Sequence, residues 1–147
     1  MKLFAGVLTI VLALLAPATT VADEKDTLER LSRQIETVNY NLERGNYNHE
    51  DLAAWTKITI KLGSEATACI ADNEAKIKKL QESIDALGEK AEDETKAVSK
   101  PRADLQEDKV KIDTILAQGT LSLQNSETAN EHISVAEQSY FQDRYLS

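Results

Sequence analysis

One run of residues sets the scale of any fold this chain adopts. Leu52, Trp55, Thr59, Leu62, Ala66, Cys69, Asn73, Ile77, Leu80, Ile84 and Leu87 follow one another at spacings of three and four. A strand repeats its faces every second residue and a helix every ~3.6, so this spacing lays all of these positions along one side of a helix. From Asn48 to Gly88 the run covers about 40 residues, or ~60 Å at a rise of ~1.5 Å per residue. A helix that long outruns the width of a small core, so its stripe has to be covered by other helices lying alongside. Ile58 and Ile70 widen the stripe. Asn73 puts an amide on it, and a polar seam residue sets register at a cost in stability. Gly63-Ser64 is a place where the helix is expected to bend slightly.

The rest of the chain supplies the covering helices. Leu28, Leu31, Ile35, Val38 and Leu42 repeat the same spacing within Glu24 to Arg44, and Gly45 ends that segment. Gly88 ends the long one in the same way. After it comes EKAEDETKAVSKP, charged and poor in large apolar groups, which reads as a solvated connection. Ser99 is the expected cap of a third helix, with Pro101 close to its first turn, where proline is tolerated. Leu105, Ile112, Leu116, Gly119, Leu123, Ser126, Asn130, Ile133 and Tyr140 mark the inner side of that helix, with Ile115 and Ala136 beside them. The predicted architecture is all-α: an elongated antiparallel three-helix bundle or coiled coil, one short and two long helices, at about 24–44, 48–88 and 101–142. The short helix covers only about half of the long pair. The seam between Ser126 and Asn130 is small and polar, so that half is expected to pack less tightly than Leu105 to Leu116.

Composition narrows the function classes. The chain opens MKLFAGVLTIVLALLAPATTVADEKD, with Lys2 ahead of an apolar run and small residues after it, the layout of a cleaved export signal. The apolar run falls short of the ~20 residues of a membrane-spanning helix. Residues 1–22 are therefore expected to be a signal peptide, 23–147 the helical domain, and the location the periplasm. Nothing after residue 22 is long and apolar enough to cross a bilayer. The net charge of −8 disfavours nucleic acid, whose phosphates are met by Lys and Arg. Cys69 is the single cysteine, so no internal disulfide is available, and the fold rests on helix packing.

The stretch LERGNYNHEDLAAW, Leu42 to Trp55, gathers a histidine, carboxylates, amides and the one tryptophan. A site and a turn are both compatible with that crowding. As a turn, Asn48 is the N-cap of the second helix, and Asp51 stands three residues on, where a capping-box partner sits. Tyr47 and Leu52 then occupy the positions of a hydrophobic staple, and Trp55 closes the bundle end. As a site, His49 with Glu50 and Asp51 would bind a metal or a partner. Elsewhere neither His49 nor His132 has metal-ligand spacing, and the acids of residues 89–94 lack the pattern of a calcium loop. No nucleophile elbow, phosphate loop or CxxC occurs. The expectation is a protein without catalytic, cofactor or metal residues. Tyr140, Phe141 and Tyr145, in the tail SYFQDRYLS, either fold back on the bundle or face a partner.

LERGNYNHEDLAAW, the KLQESIDALG ending and the helix from Ile115 to Arg144 running into YFQDRYLS together carry a resemblance. The chain resembles the N-terminal periplasmic helical domain of unknown function, DUF3772, of bacterial small-conductance (MscS-like) mechanosensitive channel proteins. The resemblance covers nearly all of residues 23–147 and implies an appendage to a channel, here without the membrane and pore parts. It supplies no catalytic or ligand residues. The role it implies is that of a module acting through helix-face contacts in sensing, assembly or a steric role, with a protein partner, membrane channel components or a second copy as its target. The alternative is an independent soluble periplasmic coiled coil serving as a binding partner or chaperone-like factor.

Overall fold

The structure, a computed structural model, describes the backbone of residues 19–146 and the side chains of residues 23–146. The expected signal peptide lies outside the described residues except for its last four, which form the first turn of a helix. Three helices account for all regular structure among the described residues: α1 (Thr19–Glu43), α2 (His49–Ala86) and α3 (Lys96–Tyr145). Short connections join them, so neighbours run antiparallel. The start of α2 meets the end of α3, where His49 stacks on Tyr140. The start of α1 meets the middle of α2, where Glu24 accepts from Asn73. α2 and α3 share the most extensive interface, and α1 lies against both.

The core follows the spacing of the apolar residues. Leu28, Leu31, Ile35 and Val38 of α1 are buried, as are Leu52, Thr59, Leu62, Ala66, Cys69, Asn73 and Leu80 of α2. Burying a side chain of the Leu or Ile class contributes on the order of 2 kcal/mol, so the α1 stripe is enough to dock a helix that is marginal alone.

On α3 the inner side is the expected one at Ile115, Gly119, Ser126, Ile133 and Ala136, but the expected gradient of packing along it is reversed. Ile115, Gly119, Ser122, Ser126, Ala129, Ile133 and Ala136 are buried, whereas Leu105, Ile112 and Leu116 are only half-buried. The small residues mark where three helices converge, while Leu105 lies beyond the start of α1, where only two meet. A Cβ on Gly119 would sit 3.2 Å from Ile70 Cγ1 and 3.7 Å from the Ala66 carbonyl oxygen. A Cβ on Gly63 would sit 3.1 Å from Ser126 Oγ. α2 and α3 therefore come close at these two places, and Leu31, Ile35 and Leu62 fill the space between the three helices. Compactness here comes from small residues, not large ones.

Each pair of helices is also tied by at least one polar contact. Thr59 Oγ1 donates to Asn130 Oδ1 between α2 and α3. Ser32 and Ser122 hydroxyls lie 3.3 Å apart between α1 and α3. Asn73 Nδ2 donates to Glu24 Oε2 at 3.2 Å between α2 and α1. Buried polar groups cost stability unless bonded, so these contacts single out one axial register for each pair.

The connection between α2 and α3 is exposed at residues 88–93, as expected of a solvated loop, but it ends in a buried ion pair. Arg102 is buried, and its Nη2 lies 2.7 Å from Glu94 Oε1 with both side chains under a tenth exposed. Arg102 Nε donates to the same carboxylate at 3.0 Å. Nη2 also donates to the carbonyls of Gly88 at 3.0 Å and Leu87 at 3.4 Å. One guanidinium thus neutralises the loop carboxylate and satisfies carbonyls at the negative end of α2.

Because this clasp holds the loop, α3 begins at Lys96 rather than at residue 101. The Thr95 carbonyl accepts from Val98 and Ser99, and the Thr95 side chain makes no cap bond. Ser99 therefore lies inside the helix and is not its cap, and Pro101 lies inside it as well. Pro101 removes one hydrogen bond, to the carbonyl of Ala97, a residue on the exposed side of the helix. At the other stops the backbone is left-handed, with φ of 64° at Gly45 and 74° at Gly88.

Removing one partner of a buried pair strands the other charge, at a cost of about 3–5 kcal/mol. Arg102→Ala is expected to lower unfolding stability by about 3 kcal/mol, read from urea denaturation followed by circular dichroism. A shift no larger than that of an exposed-lysine control would contradict the clasp. Gly119→Leu forces α2 and α3 apart and is expected to cost at least about 3 kcal/mol by overpacking, whereas Gly119→Ala, which gains helix propensity of about 1 kcal/mol against a tight contact, stays near neutral.

Candidate functional site

The end of the bundle where α1 turns into α2 and α3 finishes holds the densest group of distinctive side chains. The Gly45 N–H donates to the Leu42 carbonyl at 3.1 Å and closes α1. Asn48 is extended, at φ −117° and ψ −179°, and caps α2. Its Oδ1 accepts from the Asp51 N–H at 2.9 Å, and Asp51 Oδ2 accepts from the Asn48 N–H at 2.9 Å. Two backbone donors are satisfied reciprocally, and the Asp51 charge sits at the positive end of the helix. Beneath the turn, Leu52 packs with Val38, Ile133 and Ala136, and Leu42, Tyr47, Trp55 and Tyr140 close over them. Tyr47 meets Trp55 edge-on, with ring centroids 6.1 Å apart. The capping geometry spends Asn48 and Asp51 on the backbone, which leaves His49 and Glu50 facing outward.

The three tail aromatics divide between two tasks. Tyr140 is half-buried and stacks on His49 at 6.1 Å with an interplanar angle of 21°. Arg144 Nη1 donates to its hydroxyl at 2.9 Å, and the guanidinium lies 5.9 Å from the ring centroid. Phe141 and Tyr145 contact each other, with centroids 4.6 Å apart, and are 60% and 65% exposed. An open groove of about 810 Å³ runs between these elements, lined by Asn48, His49, Glu50, Glu137, Tyr140, Phe141, Arg144 and Tyr145. It offers aromatic faces, two carboxylates and one guanidinium to whatever lies across it.

Asn73 and Cys69 form a second, interior group. Asn73 is fully buried, and its Nδ2 donates to the Cys69 carbonyl at 2.8 Å as well as to Glu24. Glu24 in turn pairs with Lys76 at 3.7 Å. Asn73 therefore ties the start of α1 to α2, while its Oδ1 has no hydrogen-bond partner among the described residues. Burial, and secondarily the Glu24 charge, pushes the Cys69 thiol above its ordinary range, which keeps it protonated. Among the described residues no cluster of three His, Cys, Asp or Glu side chains is arranged to hold a metal ion. None of the described helices is long and apolar enough to cross a membrane.

The sequence singled out Gly45, Asn48, Asp51, Trp55, Tyr140, Phe141 and Tyr145, and the fold brings all of them to this one end. Asn73 lies in the middle of α2, and Gly88 and Pro101 belong to the opposite end. Sequence reasoning missed the Glu94–Arg102 clasp, the stacking of His49 on Tyr140 and the hydrogen bond from Arg144 to Tyr140. The last of these had a local signal, because residues 140 and 144 are one turn apart on the same helix face. Comparison with family models, with curated proteins and with solved structures returns no match to this chain.

Asn48→Ala removes one cap bond and is expected to cost about 1 kcal/mol, visible as a lower thermal midpoint; an unchanged melting curve would contradict the cap. Cys69 is expected to react with a thiol reagent only as fast as the bundle opens, far more slowly than in urea. The folded thiol titrates above the unfolded one. The stability this contributes is thus complete below the ordinary thiol range and is lost as pH rises through the folded value. Titration of Cys69→Ala alongside the parent protein between pH 7 and 10 measures that slope.

Proposed function

We propose that this protein is a non-catalytic periplasmic helical module that works by contact, presenting the aromatic end of a stiff bundle to a protein partner. One observation carries the reading. Phe141 and Tyr145 contact each other on a continuous helix yet remain mostly exposed, beside a groove floored by the half-buried Tyr140. Exposed aromatic rings on a pre-ordered surface are the usual anchors of protein interfaces, because little side-chain entropy is lost on binding. The export-like N-terminus supports a periplasmic location. The sequence resemblance supports kinship with the extramembrane helical domain of small-conductance mechanosensitive channel proteins. In that setting the bundle would sense, assemble or limit movement of channel components by steric contact.

A second observation favours the alternative, an independent periplasmic coiled coil that binds partners along its side. Beyond the start of α1, the α2–α3 hairpin keeps Ile84 and Leu105 only half-buried. That surface is available to another helix.

A photo-crosslinking amino acid placed at Phe141 or at Ile84 in cells, with products identified by mass spectrometry after envelope fractionation, separates the two. Crosslinks from 141 to one integral membrane protein support the channel-related module. Crosslinks chiefly from 84 to soluble periplasmic proteins support the alternative. Absence of crosslinks at both positions would contradict the contact reading.

A further inference from the structure

The groove at the aromatic end has a chemical polarity that selects its occupant. Phe141 and Tyr145 stand one turn apart on the same face of α3 and line the groove, so one wall is largely apolar. Glu50 on α2 and Glu137 on α3 line the groove as well, and neither is ion-paired among the described residues. Arg144 is the one Arg or Lys in the lining, outnumbered by the two carboxylates, and its Nη1 donates to the Tyr140 hydroxyl. His49 lies flat against Tyr140 and narrows the floor. An apolar wall flanked by unpaired carboxylates is complementary to a segment with apolar side chains and Lys or Arg beside them.

We infer that this groove receives a basic, amphipathic helix of a partner protein, its apolar face on Phe141 and Tyr145 and its cations on Glu50 and Glu137. The inference rests on the proposed contact role and adds the chemistry of the partner. A second copy of the chain brings the same carboxylates to the same place, in a protein of net charge −8, so like charges oppose an end-to-end dimer. An anionic bilayer surface is opposed for the same reason.

The test uses the whole protein and two labelled synthetic peptides of about 15 residues, long enough to fold as helices on a surface. One is built of Leu and Lys with one apolar face, and the other has Glu in place of Lys. Fluorescence anisotropy is expected to show binding of the Leu/Lys peptide and not of the Leu/Glu peptide, with affinity falling as salt rises. The double variant Phe141→Ser with Tyr145→Ser, and separately Glu137→Lys, are each expected to weaken binding by about tenfold or more. Glu74→Lys, the same change of net charge at an exposed position in the middle of α2, leaves it unchanged. Circular dichroism of each variant checks that the helices persist.

Equal binding of the two peptides, equal weakening by Glu74→Lys and Glu137→Lys, or no binding of either peptide would overturn the inference. So would a dimer seen by sedimentation that disappears with the Phe141 and Tyr145 substitutions. If the Leu/Lys peptide fails to bind while crosslinks from position 141 persist in cells, the basic partner is wrong and the contact reading stands. If both fail, contact through the aromatic end falls as well.

Discussion

The close approach of α2 and α3 at Gly63 and Gly119 governs the rest of the structure. Neither glycine serves a turn; each lacks a side chain where the facing helix needs the room. With the two long helices this near each other, α1 can touch both at once, and a three-helix core forms around Leu31, Ile35 and Leu62. Larger residues at those points would hold the long helices apart and widen the cleft that α1 fills. The polar contacts then settle the register that packing leaves open. Thr59 with Asn130, Ser32 with Ser122 and Asn73 with Glu24 tie the three helix pairs one by one. A bundle whose seam is partly Ser, Thr, Ala and Gly buries less apolar area than an all-leucine seam, and gains specificity of alignment in exchange.

Much of this was legible in the sequence, because one physical quantity, the helical period, carried it. The 3–4 spacing named the buried faces of α1 and α2, and the segment Asn48 to Trp55 named its own cap from residue type and spacing. What stayed hidden depended on contacts between residues distant along the chain. Residue size misled for α3: the stretch from Ser126 to Asn130 looks like a weak seam, yet Ser126 and Ala129 are buried, as is Ser122 one turn earlier. The start of α3 was displaced for a similar reason. Glu94 and Arg102 are eight residues apart, a separation with no helical pairing rule, so their ion pair gave no local signal. Once that pair anchors the loop, the helix begins early and accommodates Pro101 in its interior.

The two ends of the bundle differ in what they offer. At the α2–α3 connection Arg102 is turned inward onto Glu94 and onto the carbonyls of Leu87 and Gly88, which satisfies the end of α2, while Glu89, Lys90, Glu92 and Asp93 stay exposed. At the other end the cap consumes Asn48 and Asp51, while Tyr140 is fixed by His49 and Arg144. Phe141 and Tyr145 remain outside, in contact with each other but uncovered. A rigid rod with one self-satisfied end and one aromatic end is suited to transmitting or limiting position at the aromatic end. That is the physical content of the proposed contact role.

The account depends most on the claim that stability is concentrated where three helices meet and not along the two-helix extension. Hydrogen exchange read by mass spectrometry tests this directly, since exchange of core amides reports the local cost of opening. Amides of residues 52–73 in α2 and 115–136 in α3 are expected to exchange slowest and together, with residues 77–86 and 98–112 exchanging faster. Uniform protection along both long helices, or slowest exchange at the α2–α3 connection, would contradict it.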